Sequence, residues 1–492
     1  MTRLIRQSKH IVGFSFLICL SAALLLSFQS EPSMGGAPVA KPATSTPPAA
    51  TPSAGAVVYL GQILFNDVNL SNPSGQACAT CHGIYTGFTF PLQKVNIASG
   101  IAPGAVKGLS GNRKPPTVNY AAFLPKGPPV YVPALGAFAG GLFWDGRATD
   151  LANQASMPFQ NPNEMNDTVH GIGSPAMAVQ KLENGYNAYL FRQTYGMQIF
   201  QTSNTAAIFN LMNQAIAAYE SSAPLSPFSS KYDQYVRGRA TLSSSEMAGL
   251  QLMTGSTTGR PGGPPNYKNA QCFLCHGIPS TPGQGIDIWT NSCYANIGVP
   301  KNPNNPYYKQ TNANTDPGGY NAQGVNYIDL GLGGTYYPTL KLPPGNLGSG
   351  NNGQGDYLAI NGTFKAPTLR NVDKRPMSSF VKCYTHNGVF KDLKTVVHFY
   401  NTRNLTTYPG EVIDFTKANP YAHLKGTPLW AAPEYPSAVT LQNPSGAPGS
   451  ASAQVGNLGL TDAEEDNIVA FLKTLSDGYS TSYPNDLPAP IK

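Results

Sequence analysis

Apolar residues recur at helical spacing in three places along the chain. The first is Val58-Tyr59-Leu60-Gly61-Gln62-Ile63-Leu64-Phe65, so order is expected to begin near Val57. The second opens at Leu242. Thr241 and Ser243 to Ser245 offer N-caps there, Glu246 falls in the first turn, and Met247, Leu250 and Leu252 form the apolar face. The third follows Leu460. Thr461 caps it, Glu464 completes a capping box, and Ile468, Phe471, Leu472 and Leu475 make one apolar stripe.

Elsewhere the pattern breaks down. Residues 31–55 are Pro, Ala, Ser, Thr and Gly with almost no bulky apolar side chain, which predicts a flexible tether. Residues 277–363 and 403–457 are rich in Gly, Asn, Pro and Tyr without periodicity; insertions of this length usually serve a function. At the N-terminus, Arg3, Arg6 and Lys9 precede an apolar run from Ile11 to Phe28. That is an export signal within residues 1–30, either cleaved or retained as a membrane anchor through residues 11–28.

Composition narrows the class. Charged residues make up 12% of 492 residues, with 51 Gly, 44 Pro and 26 Tyr, which favours a loop-rich chain over long regular bundles. The formal charge is +7, but no Lys/Arg cluster interleaves with aromatics, so nucleic acid is not an expected partner.

Cys-x-x-Cys-His occurs twice, as Cys78-Ala79-Thr80-Cys81-His82 and Cys272-Phe273-Leu274-Cys275-His276. The spacing is that of a c-type haem attachment site, in which both cysteines form thioethers and the histidine ligates the iron. A zinc knuckle would need four ligands in one cluster, whereas these motifs are far apart and each has its own histidine. The expected fold is mainly α, with two cytochrome-c-like haem domains and long irregular loops. Their expected bounds are 56–235 and 236–480, followed by a tail, 481–492. The C-terminal helix is expected to pack across the first helix of a cytochrome c domain. Export places the protein in the periplasm or at the cell surface and permits disulfides. Setting aside Cys19 in the apolar run and the four haem cysteines leaves Cys293 and Cys383, either as a bridge or as two free thiols.

Between the haem motifs lie Phe143-Trp144-Asp145-Gly146-Arg147-Ala148, Gln154-Ala155, Pro158 and Asn161-Pro162-Asn163-Glu164-Met165. Further pieces are Leu60-Gly61 to Asp67 with Leu70-Ser71, and Phe364-Lys365-Ala366-Pro367-Thr368-Leu369-Arg370-Asn371-Val372. Together with both haem sites, these resemble the bacterial di-haem cytochrome c peroxidase family, which includes the MauG-type enzymes. The resemblance implies that Glu164 is the catalytic carboxylate, that Gln154 hydrogen-bonds in the distal pocket, and that Pro158 lines it without a donor. It implies that Trp144 stands between the haems; a plain core tryptophan is the bland alternative. Asp145 and Arg147 read as a structural pair holding that turn.

Many members carry a histidine about sixteen residues past the first motif that blocks the peroxidatic iron. Val95 to Pro103 contains none, which implies an open first haem; His170 reads as a surface residue. At the second haem the resemblance puts Tyr400 on the distal side, as in MauG-type enzymes, with Met377 a weaker rival. It also suggests a calcium ion, with Asn119 the nearest match to its side-chain ligand and carbonyl donors near Val381 and Cys383.

Three functions follow. The first is a periplasmic peroxidase reducing hydrogen peroxide with electrons from a small cytochrome c or cupredoxin. The second is a MauG-type oxidase that modifies residues of a partner protein. The third is a non-enzymatic dihaem electron-transfer cytochrome, which Glu164 and the open first haem argue against.

Overall fold

The computed structural model describes residues 51–133, 135–259, 268–277, 287–310, 321–336, 360–403, 411–412, 428–435, 455–456 and 458–480. The export or anchor segment, most of the tether, the C-terminal tail and parts of the two long irregular stretches lie outside them. The described fold is mainly helical with short two-stranded ladders. Seven helices position the site: α1 (Ala54–Phe65), α2 (Cys78–Cys81), α3 (Leu151–Gln160), α4 (Thr205–Glu220), α5 (Ser244–Thr254), α6 (Leu393–Thr402) and α7 (Asp462–Lys473).

Helix α1 begins three residues before the expected Val57. The Ser53 hydroxyl caps it by accepting from the Ala56 amide at 3.2 Å, so the proline-rich run ends in a capping residue. Helix α7 starts where its capping box predicts, at Thr461/Glu464, while α5 starts two residues after the expected Leu242, with Ser243, one of the offered N-caps, and Glu246 forming a capping box.

Two apolar clusters hold these helices. One joins Leu60, Leu64 and Phe65 of α1 to Phe159 of α3 and to Met212 and Ile216 of α4. The other joins Leu250 and Met253 of α5 to Phe399 of α6, Phe471 and Leu472 of α7, and Trp289. Each fully buried side chain of this size contributes roughly 1.5–3 kcal/mol relative to exposure. Each cluster contains a close helix crossing at a glycine. A Cβ at Gly61 would overlap the Ala215 carbonyl of α4, and one at Gly249 would overlap the Asn467 carbonyl of α7.

Short strands tie distant segments together. Strands β1 (Val130–Val132) and β2 (Ala137–Ala139) form a hairpin, as do β3 (Thr168–Val169) and β4 (Ile172–Gly173). His170 sits exposed in the turn of the second hairpin. Strand β5 (Tyr294–Ala295) pairs antiparallel with β6 (Phe364–Lys365), and the Lys365 amide donates to the Trp144 carbonyl at 2.9 Å.

Of the two readings of Cys293 and Cys383, the described structure has the free thiols, both buried. The Cys383 thiol instead donates to Asn96 Oδ1 at 3.3 Å and the Gly100 carbonyl at 3.6 Å.

Candidate active site

The first motif forms the single-turn helix α2, and the His82 amide closes that turn on the Cys78 carbonyl at 2.9 Å. The imidazole Nδ1 of His82 lies 3.1 Å from the Phe88 carbonyl. A carbonyl can only accept, so Nδ1 carries the hydrogen and Nε2 keeps its lone pair for a metal. Burial pushes the imidazolium pKa down to about 4, so the ring is neutral near pH 7.

The second motif repeats the arrangement. The His276 amide bonds the Cys272 carbonyl at 2.9 Å, and its Nδ1 donates to the Pro367 carbonyl at 3.0 Å. Burial again lowers the imidazole to about 4. Three residues after Pro367, Arg370 makes a buried two-pronged pair with Asp233 at 2.7 and 2.9 Å.

Each motif opens into its own cavity. Paired thiols, a neutral histidine whose Nδ1 hydrogen is held by a carbonyl, and a cavity at each motif fit a covalently attached haem c.

Gln154, Pro158, Glu164 and Trp144 all line the first cavity with His82. Gln154 and Pro158 sit one turn apart on α3, and Pro158 brings no amide hydrogen to the wall. Glu164 follows in the loop, its amide bonded to the Asn161 carbonyl at 3.0 Å and its own carbonyl to the Ala105 amide at 2.7 Å. Desolvation raises the Glu164 carboxyl above the ordinary glutamate range, against the opposing pull of Arg147 and Asn161. Glu164 and Arg147 also border a shallower, more open depression with Met157, Gln160 and Gly173, which links the carboxyl to the outside.

Trp144 lines both cavities, and so does Lys365. Tyr400, on α6, lines the second cavity with Cys272, Cys275 and His276. Burial, then the two cysteines, raises its phenol well above the ordinary tyrosine value. Met377 is 54% exposed and is not among the residues lining that cavity, which removes it as a rival to Tyr400.

Asn119 does not present a calcium ligand. Its Oδ1 accepts from Asn371 Nδ2 at 3.0 Å and its Nδ2 donates to the Leu225 carbonyl at 2.8 Å. The Val381 carbonyl already accepts from Asn96 Nδ2 at 3.1 Å. Two of the three donors suggested by the resemblance thus already accept hydrogen bonds inside the protein.

Several residues around the cavities carry no motif signature. Arg113 bonds Asp145 and Asp329, each at 2.6 Å, and Arg147 reaches the same Asp145 at 2.8 Å. Burial opposes ionisation of Asp145, but Arg113 and then Arg147 hold it well below the usual carboxylate range. Arg147 therefore does more than brace a turn: it carries charge to the edge of the Glu164 site. Asp329 and Glu434, from the irregular stretches, line the second cavity, where Glu434 faces His386 at 3.3 Å. Glu220, the last residue of α4, is buried at the wall of the first cavity with Oε2 lacking a hydrogen-bond partner. An acid at the end of the apolar run Ala215 to Tyr219 is the signal that could have found it.

Comparison with known proteins agrees with this arrangement. The family model for di-haem cytochrome c peroxidase matches residues 55–241. The methylamine utilization protein MauG of Paracoccus denitrificans is 32% identical over 445 residues, 89% of this chain and 92% of that protein. The cytochrome c551 peroxidase of Pseudomonas aeruginosa is 27% identical over 228 residues, 46% of this chain and 51% of that protein. Among solved structures, the diheme peroxidase BthA from Burkholderia thailandensis superposes with a TM-score of 0.61 at 26% identity, covering 88% of this chain and 90% of that one.

Proposed function

The chain belongs to the di-haem cytochrome c peroxidase and MauG family, and on that premise we propose that it is an exported oxidoreductase that reduces hydrogen peroxide at the first haem site with electrons received through the second. Membership implies two haem c groups, held by Cys78, Cys81 and His82 and by Cys272, Cys275 and His276. Haem c supplies an iron that binds peroxide and a redox centre that exchanges electrons.

The chain's own residues supply the proton chemistry. The Glu164 carboxylate takes the proton from the inner peroxide oxygen and returns it to the outer one, which leaves as water. The raised affinity of Glu164 for a proton suits both halves of that transfer. Gln154 offers an amide to the distal pocket, and Pro158 keeps the facing wall free of a competing donor. Trp144 couples the two sites, since its indole borders both cavities. A small cytochrome c or cupredoxin is the electron donor.

The observation that carries this reading is the placement of Glu164 with Gln154 and Pro158 in the His82 cavity, and of Trp144 at the border of both cavities. Stopped-flow mixing of the diferric protein with hydrogen peroxide tests it. A rapid absorbance change without prior reduction supports an open first haem. An inert spectrum with both irons six-coordinate would leave an electron-transfer cytochrome.

One observation favours a second reading. Tyr400 faces the second cavity, and Val95 to Pro103 offers no histidine to cap the first haem. A hard phenolate favours the more oxidised iron, which suits storage of oxidising equivalents and their use on residues of a partner protein. Fast steady-state oxidation of reduced cytochrome c by peroxide favours the peroxidase. Slow turnover with a long-lived oxidised form favours the protein-modifying oxidase.

A further inference from the structure

Lys382 is 4% exposed, and its ammonium meets three backbone carbonyls: Thr86 at 3.0 Å, Asn371 at 3.1 Å and Lys374 at 3.0 Å. An ammonium has three hydrogens and no acceptor, so each hydrogen finds one carbonyl. A neutral amine would turn a lone pair toward one of them. Three carbonyl acceptors around one nitrogen favour the charged form. Among the described ion pairs none joins a carboxylate to Lys382; the neighbouring Asp373 is paired with Arg375. The charge is therefore held by carbonyl dipoles, as a hard metal cation would be.

The three carbonyls come from two places that matter to the haem sites. Thr86 lies in the loop after the first motif. Its hydroxyl bonds within that loop, to the Thr89 carbonyl at 2.7 Å and the Gly83 carbonyl at 3.0 Å. The Phe88 amide closes the same loop on the Gly83 carbonyl at 2.8 Å, and the Phe88 carbonyl orients His82. Asn371 and Lys374 belong to the segment that follows Pro367, whose carbonyl orients His276. Asn371 is anchored in turn by the Leu475 carbonyl at 3.0 Å and by Asp477 at 2.7 Å.

We infer that Lys382 is a tethered cation that clamps the Thr86 loop onto the Asn371–Lys374 segment and through it positions the His82 imidazole, so that the chain needs no calcium ion at this junction. The inference rests on the reading of His82 as the proximal ligand of the first haem. It is supported by the three-carbonyl cage around Lys382, by Asn119 Oδ1 already accepting from Asn371 and the Val381 carbonyl from Asn96, and by the place of Lys382 in the very segment that carries the suggested carbonyl donors. Adding a divalent ion beside the Lys382 ammonium would meet like-charge repulsion at low dielectric. Lys382 is a positioning residue: it touches no reacting atom.

The test uses the full-length protein carrying both haems. Wild type is dialysed against EGTA, assayed for metal by plasma mass spectrometry, and compared before and after addition of calcium chloride. The expected result is no stoichiometric calcium, and a first-haem high-spin EPR signal and midpoint potential that neither treatment moves. Lys382→Met is then expected to shift the first-haem EPR signal and potential while the second-haem signal holds. One calcium per chain whose removal shifts the first-haem potential would overturn the inference, as would a first haem unchanged in Lys382→Met. If that variant fails to accumulate, the wild-type calcium measurements decide alone. Absence of haem at Cys78 and Cys81 by peptide mass would instead overturn the underlying site assignment.

Discussion

The indole Nε1 of Trp144 donates to the main-chain carbonyl of Lys114 at 2.8 Å in a buried setting. The Lys114 amide in turn donates to the His386 carbonyl at 2.7 Å, and His386 lines the second cavity. Trp144 is thus fixed in orientation by a residue of the first cavity's lining that is itself bonded to a residue of the second's.

Replacing Trp144 with Phe removes that donor and keeps a ring. The Lys114 carbonyl is left buried without its partner, at a cost of about 1–3 kcal/mol, so the melting temperature falls. Both haems stay attached, because neither motif is touched. In stopped-flow experiments with peroxide, the response of the second haem should lag that of the first, whereas wild type responds at both together. Synchronous responses in Trp144→Phe would remove the indole from the electron path.

Replacing Glu164 with Gln keeps the shape and removes the proton acceptor. Peroxide cleavage should fall on the order of 10²–10⁴-fold, with haem content unchanged. The pH dependence has a definite sign. Glu164 must be ionised to accept a proton, and burial raises its pKa. The wild-type rate should therefore drop as pH falls through a value above the ordinary glutamate range, and the Gln variant should lose that limb.

The two glycine crossings predict stability rather than activity. Gly61→Ala and Gly249→Ala each push a Cβ into a facing helix carbonyl, across α1–α4 and α5–α7 respectively. Overpacking of this kind costs about 1–3 kcal/mol. Chemical denaturation should show each variant destabilised by that order. Unchanged midpoints would mean the helices separate freely at these points.

How much of this was legible beforehand follows from where the information sits. The haem motifs, the capping box at Thr461/Glu464 and the Gln154/Pro158/Glu164 spacing are local in sequence, and the structure puts Gln154, Pro158 and Glu164 in the lining of one cavity. The pairs Arg113–Asp329 and His386–Glu434 were not legible, because each joins a recognisable segment to a Gly/Asn-rich stretch whose course no periodicity describes. Lys382 was invisible for a different reason: its partners are main-chain carbonyls, which leave no mark on residue identity. Asn119 could be placed near the right segment, but not its engagement by Asn371 and Leu225.

Glu220 gives the last prediction. Its carboxyl is buried at the end of α4, has one oxygen without a hydrogen-bond partner, and is raised by desolvation from 4.5 to about 8. Below pH 4.5 the acid is protonated whether the chain is folded or unfolded, so burial of its charge costs nothing. Between 4.5 and about 8 the unfolded chain releases the proton while the folded chain keeps it. Stability from this group therefore declines as pH rises across that window, by at most about 1.4 kcal/mol per pH unit. Glu220→Gln cannot ionise, so it should match wild type near pH 4 and exceed it progressively toward pH 8. Thermal melts of the two proteins across that range measure the difference directly. Parallel curves would mean that the carboxyl finds a partner once the first haem fills the cavity.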